Sequence, residues 1–319
     1  MTGTRHHQTR SDLAPDPGPV QRGHAEPESW QRAHSTLWPW MSIAAACIAG
    51  LANIVGLADI DRIYGTETSA FIDQAIAQDT VSLAVVCPAI VVLALLARRG
   101  SLAAHLAWLG TLAFTVYNYV IYTLSIHVGP LFLPWIAVLG LSLYALIGGS
   151  AVLDPHAVAA RFRHPRTTLA GWFLIIIAAL FAALWLRDLI PSIASGEVPA
   201  GARELGLPSN PVHVLDLSFY LPAATVAGIQ LVRRRPLGYL IGPGMLVFLG
   251  LTGLPILLTP FIADARGESP GWPLLAPMAT VVIVSLGLAT RLLRTARRTT
   301  GTPPDRETDP AGTRPVEAS

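Results

Sequence analysis

Asp216 is the one carboxylate that falls clearly inside a long apolar stretch of this 319-residue chain, with His213 three residues before it and Tyr220 four after. That spacing puts the three side chains on one helical face. A carboxylate in a low-dielectric surrounding favours its neutral form unless a cation compensates, so Asp216 is a candidate for taking up and releasing a proton or a cation. Three readings stay open: such a site, a structural ion pair with Arg187 or His213, and exposure at a membrane interface. A second polar set, Thr111, Thr115, Asn118, Tyr122 and Ser125, is spaced 4, 3, 4, 3 and forms one helical stripe. A third runs Ser42, Ala46, Ala49, Asn53 and Gly56, the small-residue pattern of helix packing in membranes. For these stripes, packing surface and cavity lining both fit. By depth, Asn53, Asn118, Tyr122, Arg187, His213, Asp216 and Tyr220 map to the same half of the apolar layer and make up a candidate polar pocket facing outward, with Asp59, Gln78 and Asp79 at its rim.

Other chemistries lack their residues. There is no HExxH, GxSxG or GxxxxGK[ST], so no catalytic residue is assigned. All 22 basic residues are Arg, which removes a Schiff base or a phosphate-cradling lysine. Cys47 and Cys87 form no CxxC and are expected to be packed apolar residues, leaving no metal site, and the histidines do not pair as haem ligands, so no cofactor is expected. A net charge of +2 gives no basic surface for nucleic acid.

Composition sets the helices that hold these residues. The chain is 52% hydrophobic and 13% charged with a mean hydropathy of +0.51, about half the charge of a soluble domain. Eight stretches are long enough to cross a hydrocarbon layer as helices, near 39–58, 80–97, 102–125, 131–153, 169–190, 213–232, 238–258 and 273–293. A count of seven is the alternative, since the second is short and the seventh is broken by Gly and Pro. A short amphipathic segment near 70–78 reads as interfacial. Twelve Arg residues follow spans two, four, six and eight, against four (Arg62, Arg187, Arg203, Arg266) in the alternate connections. The positive-inside rule then places both termini in the cytoplasm. Tryptophans at span ends, among them Trp38, Trp40, Trp135 and Trp185, fit an aromatic belt. Residues 1–36 and 294–319, rich in Pro, Arg, Thr and acids, read as disordered cytoplasmic tails around a 37–293 membrane domain.

Pro88 and Pro222 interrupt spans two and six, which hold the same place in two four-span halves, and each should distort its helix. Interrupted helices often build transporter sites. The segments Arg98-Arg99-Gly100-Ser101, Tyr117-Asn118-Tyr119, Leu131-Phe132-Leu133-Pro134, Val214-Leu215-Asp216-Leu217 and Arg235-Pro236-Leu237-Gly238-Tyr239 resemble a group of bacterial multipass membrane proteins of no known activity. That resemblance implies a location in the bacterial cytoplasmic membrane and carries no cofactor or site residue.

The expectation is therefore an all-α, polytopic membrane protein of about eight spanning helices, embedded in a lipid bilayer. The first functional reading is a transporter or permease for a small solute or ion. The second is a sensory, regulatory or assembly subunit whose stripes only pack. The third is a membrane-embedded enzyme using His213 and Asp216.

Overall fold

In the computed structural model, residues 28–162 and 167–296 are described (besides the isolated Thr2), with side chains from Leu37 onward. Residues 1, 3–27 and 297–319, which fall in the segments expected to be disordered, lie outside these residues. Among the described residues there is no β-strand, only an isolated bridge between Phe162 and Ala296.

The helices are α1 (Glu28–Ala58), α2 (Ile60–Tyr64), α3 (Ser69–Arg98), α4 (Leu102–Ser125), α5 (Phe132–Ala151), α6 (Pro155–Ala160), α7 (Thr168–Ser195), α8 (Ala200–Arg203), α9 (Pro211–Val232), α10 (Pro236–Ala265) and α11 (Leu275–Leu293). Two boundaries differ from expectation. The backbone of α1 is already helical at Glu28, inside the stretch expected to be disordered. The second span starts at Ser69, not near 80, so the segment expected to lie at an interface is the first part of α3. It enters the core because Thr68 caps it, accepting from the Phe71 N–H, and because Phe71, Ala75 and Ala77 are buried.

Seven of these helices are long and apolar enough to cross a membrane. The 24-residue α4 is long enough but stands outside that set, because its tyrosines, Asn118 and His105 lower its hydropathy. It can carry them because it is enclosed by protein. α4 packs against α3, α5 and α10 and touches α9 and α11. Apart from Leu124 near its end, the large exposed apolar side chains lie on other helices, among them Leu51, Leu133, Ile193, Phe219 and Ile283.

Helices α1, α3, α4 and α5 close into a four-helix bundle, and α7, α9, α10 and α11 pack in succession beside it. The halves meet at α4 and α10, where a Cβ at Gly110 would collide with the Gly244 carbonyl oxygen. That approach requires glycine. α3 and α9 share a further feature. Each contains a π-helical turn, Ser82–Val86 and Asp216–Tyr220, and in each a proline follows six residues after the first residue of the turn. The expected distortion at Pro88 and Pro222 is thus a wider turn: Cys87 N–H bonds the Ser82 carbonyl and Leu221 N–H the Asp216 carbonyl.

Candidate functional site

The candidate pocket residues do not converge on one point. They divide between two buried carboxylates lying on different sides of α4. In the second half, Asp216 heads the π turn of α9 and is 8% exposed. It accepts from the Tyr117 hydroxyl of α4 (3.0 Å, Oδ1) and from the indole Nε1 of Trp185 on α7 (2.8 Å, Oδ2). Arg187, the expected ionic partner, is exposed and has no ion pair with it. The geometric reason is helical phase: Trp185 and Arg187 are two residues apart on α7, so their side chains diverge by about 160° when one of them faces α9.

His213 is buried, lies against Trp185 with the rings tilted and their centroids 4.4 Å apart, and holds its Nδ1 3.9 Å from Oδ2 of Asp188. Neither of those two atoms has a hydrogen-bond partner. Tyr220 stacks on Phe248 at 4.2 Å, with its hydroxyl also unpartnered.

In the first half, Asp79 is more deeply buried than Asp216, at 1% exposure. Tyr64 of α2 donates to its Oδ2 at 2.7 Å and Tyr122 of α4 to its Oδ1 at 2.8 Å. Trp135 of α5 stacks beside both phenols, at 6.4 and 5.3 Å. Burial, and then the Asp79 charge, push the Tyr64 hydroxyl well above the ordinary tyrosine range, so it stays a donor. Gly56 of α1 completes the site: a Cβ there would lie 2.5 Å from Asp79 Oδ2 and 2.9 Å from the Tyr64 hydroxyl. Asn53, one turn before Gly56, is 1% exposed and its Nδ2 has no partner.

Tyr122 and Asn53 therefore belong with Asp79, while His213 and Tyr220 belong with Asp216. Asn118 is buried on α4 between the two tyrosines that serve the carboxylates. The other stripe residues behave differently. Thr111 and Thr115 donate to the carbonyls four residues back, Ala107 and Thr115's own Thr111, so their hydroxyls are satisfied within α4.

Sequence reasoning missed Asp79, Tyr64, Tyr117 and Trp185. A span beginning near 80 leaves Asp79 at a rim, whereas the helix begins at Ser69 and Phe71, Ala75, Ala77 and Asp79 are all buried along it. Trp185 was read only as an interfacial indole, although an indole N–H inside a bundle needs an acceptor.

The end of the chain bearing Asp79 and Asp216 is tied by contacts between connections. Glu67 Oε1 accepts from the His127 N–H at 2.9 Å and lies 2.7 Å from its Nδ1, Thr68 donates to the Glu204 carbonyl at 2.8 Å, and Arg266 Nε lies 2.9 Å from Asp73 Oδ1. The opposite, arginine-rich end carries a cavity of about 350 Å³ at the mouth of the first bundle, walled by Trp38, Arg98, His105, Trp108 and Gly149 among others. There Trp108 donates to Ser42 at 3.1 Å, His105 Nε2 lies 2.9 Å from the Gly149 carbonyl oxygen, and Arg98 sits 4.7 Å over the Trp40 ring. Among the described residues no group of three His, Cys, Asp or Glu side chains could hold a metal.

Compared with family models, curated proteins and solved structures, the chain finds no match.

Proposed function

We propose that the chain is a transporter for a small solute or ion, coupled to protons or cations through Asp79 and Asp216, in a membrane crossed eight times with both termini on the arginine-rich side. That side is the cytoplasm and the membrane the bacterial cytoplasmic one in this reading. The observation that carries it is the character of the two carboxylates. Both are buried within helices of membrane-spanning length, and the partners that hold them are hydroxyl and indole donors with no arginine among them. A purely structural carboxylate at such depth is most simply neutralised by a fixed cation. One held only by neutral donors keeps the freedom to change its charge. The two π turns support the same reading, since such turns recur at functional sites.

The second reading, a regulatory or assembly subunit, is favoured by the threonines of α4, whose hydroxyls bond carbonyls of their own helix.

The experiment is a thermal-shift screen of purified protein against sugars, amino acids, nucleosides, organic acids and inorganic ions, since a bound solute stabilises the folded state. The strongest stabiliser is then offered to proteoliposomes loaded with a pH-sensitive dye. Uptake with accompanying proton movement that disappears in Asp216→Asn and Asp79→Asn supports coupling. Uptake unchanged in both variants, or no stabilising solute, favours the regulatory reading.

A further inference from the structure

Three buried polar atoms of the first bundle have no hydrogen-bond partner: Asn53 Nδ2 on α1, Tyr119 Oη on α4 and Ser142 Oγ on α5. Their residues are 1%, 2% and 0% exposed. An unpartnered donor in a dry interior is costly, and buried groups of this kind are ordinarily served by ordered water.

Their places along the bundle form a ladder. Trp108 on α4 donates to Ser42 on α1 at 3.1 Å, which sets these two helices in register at the arginine-rich end. α1 and α4 run in the same direction, and eleven residues further along each lie Asn53 and Tyr119. Eleven residues are about three turns, so both side chains return to the same faces about 16 Å further on. Ser142 occupies the middle of α5, seven residues from Gly149 and seven from Trp135, about 10 Å from each. Gly149 walls the cavity of about 350 Å³, and Trp135 stacks on Tyr122, which bonds Asp79. The small residues Ala45, Ala49 and Ala52 of α1 are buried in the same core.

We infer that the first bundle holds a hydrated proton path, running from the arginine-rich cavity past Ser142, Asn53 and Tyr119 to Asp79. The ligand of this path is water and the excess proton it carries. It deepens the transport reading by giving Asp79 its route, and so rests on Asp79 exchanging a proton. The terminal step balances locally. A proton delivered to Asp79 Oδ1 neutralises the carboxylate, and the Tyr122 hydroxyl that donated to that oxygen turns to the Ala75 carbonyl, already 3.4 Å away. The groups facing Asp79 are Tyr64, Tyr122 and Gly56, with Tyr119 and Cys87 near enough to feel its charge.

The test reads water and not transport. In full-length protein with Cys47 and Cys87 replaced by alanine, Ser142→Cys is exposed to 2-aminoethyl methanethiosulfonate in proteoliposomes, from each side separately. Ile147→Cys, on the same helix with 56% exposure on the apolar surface, is the dry control. The expected result is modification of Ser142→Cys from the arginine-rich side at least tenfold faster than of Ile147→Cys. Equal rates overturn the path. Hydroxyl-radical footprinting of the unaltered protein gives a second measure that needs no substitution. Tyr119, at 2% exposure, should be oxidised several-fold more than Tyr239 at 8%, whereas the reverse order means a dry core and overturns the inference. Should the path prove wet while no solute flux depends on Asp79, the path stands and the transport reading falls.

Discussion

Tyr117 and Tyr122 stand five residues apart on α4 and donate to different carboxylates, Tyr117 to Asp216 and Tyr122 to Asp79. Five residues turn a helix by about 140°, so one helix serves the two halves of the molecule from two faces. The central helix is therefore the element through which a change at one carboxylate can be felt at the other.

Tyr117→Phe removes one of the two donors to Asp216 and leaves a buried oxygen unpaired. Thermal unfolding in detergent should show a loss of about 1–3 kcal/mol. Tyr220→Phe, which removes a hydroxyl without a partner, should be neutral or slightly stabilising in the same measurement.

Gly56→Ala places a methyl group 2.5 Å from Asp79 Oδ2 and must displace the Tyr64 bond. A destabilisation of about 1–3 kcal/mol is expected from such overpacking. Gly140→Ala, where a Cβ would meet nothing within 4 Å, should leave stability unchanged or raise it.

How much of this was legible in the sequence depends on the kind of signal. Apolar length located the long helices, and the spacing of His213, Asp216 and Tyr220 gave their common helix. Partners were not legible. Nothing in spacing says that Trp185 rather than Arg187 meets Asp216, because that depends on how α7 is rotated against α9. Asp79 was hidden for another reason: Asp73 and Asp79 depress hydropathy just where α3 continues, so the apolar window closes a turn and more before the helix does.

Arg266→Ala strips the cation from Asp73, whose side chain is only 5% exposed. A loss of about 1–3 kcal/mol is expected. The double variant Arg266→Ala/Asp73→Asn should recover part of it, since the orphaned charge is then gone, and a double-mutant cycle reads that coupling.

The eight-span topology is checked by cysteines at positions 200 and 235, Ala200→Cys and Arg235→Cys, in a background lacking the native thiols. An impermeant maleimide should label the two from opposite sides of the membrane. Labelling of both from one side rules the topology out.

The enclosure of α4 bears on how the protein is made. A segment with three tyrosines, an asparagine and a histidine gains little by partitioning alone into hydrocarbon. During synthesis α4 emerges after α3 and before α5, and the helix that closes its far side, α10, is completed more than a hundred residues later. On the eight-span reading, α4 must be held at the insertion machinery or chaperoned by its neighbours until the second half arrives. Truncation before α10 should then yield a chain that is degraded in the membrane instead of a stable half-molecule.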